Sequence, residues 1–253
     1  MKQTPEERSR RAAPSPLRRR YLARLAGRIL IFFACLLLAW RDRAAFQILQ
    51  GWNFFRRLSP LHLLWAVWMT DMALQLFPLP ARTALGSQKL FRFRYRGADR
   101  PPSGLAAYSR TSGRRALGVL LLWTALLAAV WSLRAAHILD DGGLFLVSAA
   151  FYVCDLICVL VWCPFRLLLG NRCCTTCRIF NWDHLMMFTP MLPIRGFFSG
   201  SLLAVSVLVW AAWELSVMRY PERFWEGTNT ALRCANCTDK LCTQYCGRRR
   251  EPK

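Results

Sequence analysis

Residues 116–163 read ALGVLLLWTALLAAVWSLRAAHILDDGGLFLVSAAFYVCDLICVLVWC, and this stretch decides the fold. Its two apolar runs, 116–136 and 143–163, each hold about the 20 residues that a helix needs to cross a hydrocarbon core of roughly 30 Å. Only the short polar segment 137–142 separates them. The stretch therefore predicts two adjacent transmembrane helices joined by a short loop.

Two further runs, 61–79 and 200–218, have a similar length and composition, and two others are weaker candidates. The run 29–40 is dense but holds only twelve residues, unless it extends backwards with Arg24 and Arg28 snorkelling to the surface. The run 179–194 contains charged residues and two prolines, so it could cross as a short broken helix or dip in and return. The predicted fold class is all-α, a polytopic transmembrane bundle of about five or six spans.

The basic residues predict how these spans are oriented. The chain is 55% hydrophobic and carries a formal net charge of +21. Of its 35 lysine and arginine residues, 29 lie in 1–28, 81–115, 164–178 and 219–253, and all four segments face the same side if six spans cross. By the positive-inside rule, that side is the cytoplasm, so both termini are expected to be cytoplasmic. A nucleic-acid-binding protein would not need several apolar spans, so no specific nucleic acid is expected.

The segment 1–28 is rich in Arg, Pro, Ser and Ala and lacks an apolar face, which predicts a disordered cytoplasmic arm. In the loop 81–115, three arginines alternate with Phe91, Phe93 and Tyr95, which suits a segment lying at a membrane surface. Besides the bilayer itself, we therefore expect both segments to contact anionic lipid, at roughly 1 kcal/mol per basic residue.

Eight of the eleven cysteines fall into two clusters on the predicted cytoplasmic side. The pairs Cys174/Cys177 and Cys234/Cys237 have the Cys-x2-Cys spacing by which one turn presents two thiolates to one ion. The sequence predicts that these four residues bind one Zn²⁺, which accepts four thiolates tetrahedrally. Residues for a second set of ligands are Cys163, Cys173, Cys242 and Cys246.

Such a metal would join loop 164–178 to the tail 219–253 in a small cysteine-rich cytoplasmic cap. An iron–sulfur cluster is the alternative cofactor, although the tail spacing does not match the bacterial ferredoxin run. Disulfide bonds would require the tail to face an oxidising compartment. Two other cysteines, Cys154 and Cys158, lie one turn apart within 143–163 and suit either a soft-metal path or ordinary apolar packing.

Asp71 and Asp155 fall near the middle of predicted spans, where an aspartate costs about 2.5–3.5 kcal/mol on insertion scales. Intramembrane carboxylates often mark a proton or cation site, and the alternative is a hydrogen-bonded contact between helices. The sequence places no lysine or arginine at their depth. Glu214 is expected near the cytoplasmic end, within reach of water or Arg219, and His184 at a solvated span end.

Three strings carry a resemblance: Ser59-Pro-Leu-His-Leu-Leu-Trp65, Asn171-Arg-Cys-Cys-Thr-Thr-Cys-Arg-Ile-Phe-Asn-Trp182 and Arg219-Tyr-Pro-Glu-Arg-Phe-Trp-Glu-Gly227. Over residues 55–245 the chain resembles uncharacterised polytopic inner-membrane proteins of bacteria. The resemblance implies the membrane class and compartment, and it implies no activity.

Two functions remain open from the sequence. The chain is either a membrane scaffold or interaction protein with structural zinc, or a redox or ion/proton-coupled transport protein whose iron–sulfur or thiol cap serves a site near Asp71 and Asp155. No phosphate-binding glycine loop, serine-nucleophile motif or His-Glu-x2-His motif is present, so the sequence favours a non-enzymatic role.

Overall fold

A computed structural model describes residues 16–77, 87–99, 103–171, 174–236 and 241 of the protein. Its α-helices are α1 (Pro16–Arg41), α2 (Asn53–Arg56), α3 (Leu61–Leu76), α4 (Ser87–Leu90), α5 (Leu105–Ala135), α6 (Asp141–Leu160), α7 (Phe165–Leu169), α8 (Asp183–Phe188) and α9 (Phe197–Arg219). Short 3₁₀ turns lie at Arg43–Leu49, Arg92–Arg94, Cys174–Thr176, Phe180–Trp182, Thr189–Met191, Pro221–Phe224, Thr230–Leu232 and Cys234–Asn236. Within these described residues the fold is entirely helical, with only isolated β-bridges.

Four helices are long and apolar enough to cross a membrane: α1, α5, α6 and α9. Local sequence explains where two of them begin. Gly104, with φ +113°, makes the left-handed turn that precedes α5. Asp140 caps α6 by accepting a 2.7 Å hydrogen bond from the Gly143 N–H, so the predicted 137–142 loop also starts the second helix of the pair.

The other two predicted spans differ in kind. Helix α3 has 16 residues and is about 24 Å long, because Phe77 and Pro78 follow its last turn. The segment 179–194 is no continuous helix but a 3₁₀ turn, the six-residue helix α8 and a second 3₁₀ turn containing Pro190. The structure therefore supports four membrane-length helices, and the count of five or six spans stays a prediction.

Helix α1 corrects the predicted arm. It begins at Pro16 rather than near Ile29, so residues 16–28 are helical and only residues 1–15 of the expected disordered arm lie outside the described part. The residues from Leu17 to Arg41 contain no proline and a single glycine, Gly27. Little in this sequence therefore opposes a continuous helix. As a consequence, Arg28 lies near the middle of a 26-residue helix.

The main core lies between α3, α6, α8 and α9. Trp68 is fully buried there, and its ring meets those of Phe145, Phe188 and Phe198 at centroid distances of 5.7, 5.1 and 6.5 Å. Edge contacts between aromatic rings contribute beyond the area they bury. This packing holds α8 against α3 and α6, which fixes the position of the polar residues on α8.

One end of the bundle, which we call the aromatic end, comprises residues 42–62, 136–143 and 195–198. There the Gly51 N–H donates to the Arg195 carbonyl at 2.7 Å, and the Phe197 N–H donates to the Gly51 carbonyl at 3.0 Å. A Cβ at Gly196 would lie 1.9 Å from the Leu49 carbonyl oxygen, so only glycine permits this close approach.

The opposite end, which we call the cysteine end, comprises residues 87–99, 163–171, 174–182 and 220–236. The Thr230 N–H donates to the Arg96 carbonyl at 2.8 Å, and Lys89 Nζ donates to the Cys177 carbonyl at 2.5 Å. These contacts join the loop before α5, the cysteine loop and the segment after α9. Three cysteines of the predicted cap, Cys237, Cys242 and Cys246, lie outside the described residues.

Candidate functional site

Arg28 connects three helices through polar contacts inside the bundle. Its Nη1 donates hydrogen bonds to Asp155 Oδ2 at 2.6 Å and to the Tyr152 carbonyl at 2.7 Å. Its guanidinium carbon lies 3.9 Å from the centroid of the Tyr152 ring, and its Nη2 lies 3.7 Å from Asp71 Oδ2. Since its side chain is only 12% exposed, Arg28 is a buried cation shared by two carboxylates.

His184 lies on the other side of Asp71. Its Nε2 is 3.6 Å from Asp71 Oδ2, and its Nδ1 is 3.2 Å from Asp183 Oδ1. The Gln75 amide lies 3.3 Å from the same Nδ1 atom. The imidazole is 4% exposed, so it is enclosed between two carboxylates that come from α3 and α8.

We call Arg28, Asp71, Asp155, Asp183 and His184 the acidic cluster. It contains three carboxylates against one arginine and one histidine, so its own net charge is negative even when the imidazole is protonated. The charge of Arg24 also acts on Asp71, but Arg24 is exposed and lies outside the cluster. Asp155 and Asp183 are close enough for their charges to interact. Because a buried net charge is costly, this arrangement favours the uptake of a proton or a cation.

The structure corrects three predictions at this site. Arg28 does lie at the depth of Asp71 and Asp155, because α1 begins twelve residues before it rather than beside it. It therefore points into the bundle and does not snorkel. His184 is buried in the same cluster and not at a solvated span end. The signal in the sequence was the carboxylates themselves, since charged residues within spans generally pair with one another.

Asp155 and Asp183 also border a cavity of about 500 Å³. Its walls are largely apolar and include Trp123, Phe151 and Phe165. It is partly open, at the surface between α5 and the end of α6, where Leu122, Leu126 and Trp162 are exposed. The acidic cluster therefore lies at the wall of a space that a small molecule or ion could enter from the apolar surface of the bundle.

Sulfur-containing side chains line the same cavity. The cysteines among them are Cys154, Cys158, Cys163, Cys174 and Cys177. The cavity thus unites residues from the predicted cytoplasmic cluster with the two cysteines predicted inside a span.

The side chains of Cys158 and Cys163 lie close enough to interact. Cys163 lies three residues beyond the end of α6, and this interaction lowers its pKa. The backbone N–H groups of Phe165 and Arg166 act in the same direction, whereas burial acts against them. For Cys177, also in the cysteine end, burial raises the pKa.

Only part of the predicted zinc site lies within the described residues. Cys174 begins a 3₁₀ turn, Cys177 follows it, and Cys234 begins another turn near the end of the described chain. Cys237 lies outside that part, as do Cys173, Cys242 and Cys246 of the second ligand set. Among the described residues, no group of three or more His, Cys, Asp or Glu side chains is placed to hold a metal ion.

A second buried ion pair fixes the cysteine loop to α9, and we call it the matched pair. Arg178 Nη1 and Nη2 donate to the two carboxylate oxygens of Glu214 at 2.7 and 2.6 Å, and Trp182 Nε1 donates to Glu214 at 2.7 Å. Trp213 Nε1 donates to the Arg178 carbonyl at 2.8 Å. The expectation that Glu214 reaches water or Arg219 is therefore wrong, because a base 36 residues earlier in the chain binds it.

Comparison with protein-family models, with curated proteins and with solved structures finds no match to the chain. A function therefore has to be argued from the charges, contacts and cavity described above.

Proposed function

We propose that this chain is an integral membrane protein that takes up and releases a proton or a small cation at the acidic cluster. The observation that carries the proposal is the charge imbalance of the cluster. Three carboxylates from α3, α6 and α8 face one arginine and one histidine inside an apolar bundle. An ion that neutralises the excess charge lowers the cost of keeping the cluster buried.

The four membrane-length helices support the membrane part of the proposal. Large apolar side chains are exposed on their surfaces, among them Leu30 at 70%, Leu121 at 63% and Leu208 at 58%. Surfaces of this kind suit lipid better than water. The cytoplasmic termini and the anionic-lipid contacts follow from the basic residues, and the bacterial inner membrane follows from the resemblance; all three remain part of the proposal.

The contacts within the cluster also suggest a route for a proton. The Asp71 side chain is 41% exposed, whereas Asp183 borders the cavity. His184 lies between them, with one ring nitrogen directed at each carboxylate. An imidazole can accept a proton at one nitrogen and release one from the other, so we propose that His184 passes protons between Asp71 and Asp183.

Arg28 has a different role in this proposal. It remains protonated at all relevant pH values, and its contacts with Asp71 and Asp155 keep one unit of positive charge at the site. The exchangeable ion then has to neutralise only the charge that Arg28 leaves uncompensated. The permanent charge of Arg28, together with one weakly bound exchangeable ion, suits repeated uptake and release of that ion.

The scaffold function with structural zinc remains the second candidate, and one observation favours it. The loop that carries Cys174 and Cys177 is fixed to α9 by the matched pair and to Lys89. A fixed loop suits a structural metal site, with Cys234 and Cys237 as the other proposed ligands. Metal analysis of the purified protein would test this, and iron with acid-labile sulfide would instead indicate the iron–sulfur alternative.

The experiment for the main proposal compares wild type with Asp155→Asn and Asp141→Asn in lipid nanodiscs. Both aspartates lie on α6 and pair with an arginine, but Asp141 pairs with Arg134 at the aromatic end. We expect infrared spectra near neutral pH to show a protonated carboxyl group in wild type and in Asp141→Asn. Asp155→Asn should lack it, because its cluster balances once His184 is protonated.

The buffer cation separates a bound proton from a bound metal cation. If Na⁺ or K⁺ occupies the cluster, the protonated carboxyl band should appear only when choline replaces these ions. Proteoliposomes with an imposed proton or cation gradient then test exchange, which Asp155→Asn should abolish and Asp141→Asn should preserve. A wild-type protein with no protonated carboxyl in either buffer, or an unchanged band in Asp155→Asn, would overturn the proposal.

A further inference from the structure

The sulfur atoms around the cavity form a continuous series along its wall. Cys154 lies one helical turn before Cys158 on α6, and Cys158 and Cys163 line the same cavity close enough for their side chains to interact. Cys163 in turn lies close enough to Cys177 for their charges to interact. The acidic cluster does not use any of these thiols, so their grouping calls for its own explanation.

From this geometry we infer that Cys158 and Cys163 form a binding site for a soft monovalent metal ion of the Cu(I) class. Thiolates and thioethers are the ligands that select Cu(I). Two thiolates are sufficient for it, because Cu(I) is stable with two opposed sulfur ligands. Among the described residues, no third His, Cys, Asp or Glu side chain is placed to hold one ion together with this pair, and a tetrahedral Zn²⁺ site would need more ligands.

The surroundings of the pair suit this ion. Cys163 is 8% exposed, and the cavity beside it is lined largely by apolar side chains, which makes the surroundings of bound Cu(I) unfavourable for water. Binding replaces the two S–H bonds by two S–Cu bonds and releases two protons, without any transfer of electrons. The resulting complex has one negative charge, and Arg166 lies close enough to Cys163 to offset it.

The neighbouring sulfur atoms give the ion a means of arrival and departure. Met186 and Met187 line the same cavity, and their thioethers bind Cu(I) without adding charge. Cys154 and Cys177 flank the pair on either side. A Cu(I) ion could therefore exchange between neighbouring ligands along the wall and need not leave into water.

The first test maps the site in the unmodified full-length protein. Detergent-purified protein is reduced without oxygen, loaded with Cu(I) from a bicinchoninate buffer and treated with an alkylating reagent. Peptide mass spectrometry then reports the reaction of each cysteine. We expect Cu(I) to protect Cys158 and Cys163 together, while Cys35, which is buried away from the cavity in the main core, reacts equally with and without the metal.

The second test uses the double variant C158S/C163S, with C35S as the matched control. Competition with bicinchoninate should show one fewer Cu(I) bound per chain in the double variant, or binding weakened by more than about tenfold, and no change in C35S. Thiolates elsewhere in the chain can bind Cu(I) in all three proteins, so the difference between them is the measured quantity.

Two outcomes would overturn the inference. In one, alkylation of Cys158 and Cys163 in the wild-type protein is as fast in the presence of Cu(I) as in its absence. This outcome does not depend on whether any variant folds. In the other, Zn²⁺ protects the pair as well as Cu(I) does at equal free concentration. The inference does not rest on the proton or cation site, because the Asp155→Asn variant retains both thiols and should bind Cu(I) as wild type does.

Discussion

Two partly buried ion-pair sites in the described part of the chain differ in the balance of their charges. In the matched pair, one arginine meets one glutamate through two hydrogen bonds, and an indole N–H binds the same carboxylate. In the acidic cluster, three carboxylates share one arginine and one histidine. A balanced site can only stabilise the fold, whereas an unbalanced one also has a use for a mobile ion.

The location of the two sites reinforces the contrast. The matched pair lies in the cysteine end, where it fixes a loop to α9. The acidic cluster joins α1, α3, α6 and α8, with a cavity at one side and the exposed Asp71 at the other. Its geometry therefore combines an uncompensated charge with access from two directions, which a purely structural contact does not require.

The largest effect should come from removing the cation of the acidic cluster. Arg28→Met leaves Asp71 and Asp155 without their fixed positive charge inside the bundle. We expect the free energy of unfolding in mixed detergent micelles to fall by about 3–5 kcal/mol, which is typical when one partner of a buried pair is lost. Part of this loss should return at low pH, because protonated carboxyl groups no longer need the arginine.

Two comparisons sharpen this first prediction. Arg24→Met, one turn earlier on α1, removes an exposed charge that acts on Asp71 only from a distance and forms no ion pair with it, so it should cost less than about 1 kcal/mol. Arg28→Lys keeps the charge but loses the planar geometry, so an intermediate cost is expected. Equal stability of Arg28→Met and Arg24→Met would show that Arg28 does not neutralise the cluster.

The importance of Arg28 also shows how far sequence reasoning extends. The apolar runs predict the long helices, because helix length and hydrophobicity are local properties. The partner of Asp155 lies 127 residues away, and nothing in the spacing of either residue reveals the contact. The apolar run placed the start of α1 too late, and Arg28 was therefore expected at a helix end, with its side chain at the membrane surface.

The segment 179–194 illustrates a different limit. Its prolines and polar residues correctly predicted an interrupted structure, and the prediction allowed for a broken helix. The sequence did not reveal which residues its side chains contact. Trp182 turns to Glu214, and His184 turns to Asp71, because the segment packs between α3, α6 and α9. Through tertiary packing, this weakly predicted span therefore contributes side chains to both ion-pair sites.

The second prediction concerns the matched pair. Glu214→Gln removes the charge that Arg178 and Trp182 contact, while it keeps the size of the side chain. We expect unfolding to become easier by about 2–3 kcal/mol, the range for hydrogen bonds to a charged group. Trp182→Phe removes one of the three hydrogen bonds and should cost about 1 kcal/mol. A larger loss in Trp182→Phe than in Glu214→Gln would show that ring packing, and not charge, holds the loop.

The smallest effect, and the sharpest test of the comparison, is expected for Asp183→Asn. This substitution removes one carboxylate from the acidic cluster and leaves two against Arg28 and His184, so the charges balance when the imidazole is protonated. We expect the free energy of unfolding to change by less than about 1 kcal/mol, or to increase, because the lost contact with His184 is offset by relief of like-charge repulsion with Asp155.

Asp183→Asn and Glu214→Gln are chemically equivalent changes of one buried acid into its amide, and they differ only in the site that they alter. If both cost the same, the two sites are structural contacts of one kind, and the acidic cluster has no excess charge to neutralise. If only Glu214→Gln is costly, the third carboxylate of the cluster contributes little to stability. Its retention in a buried position would then be explained by the ion that it binds, and loss of proton or cation exchange in the same variant would complete that argument.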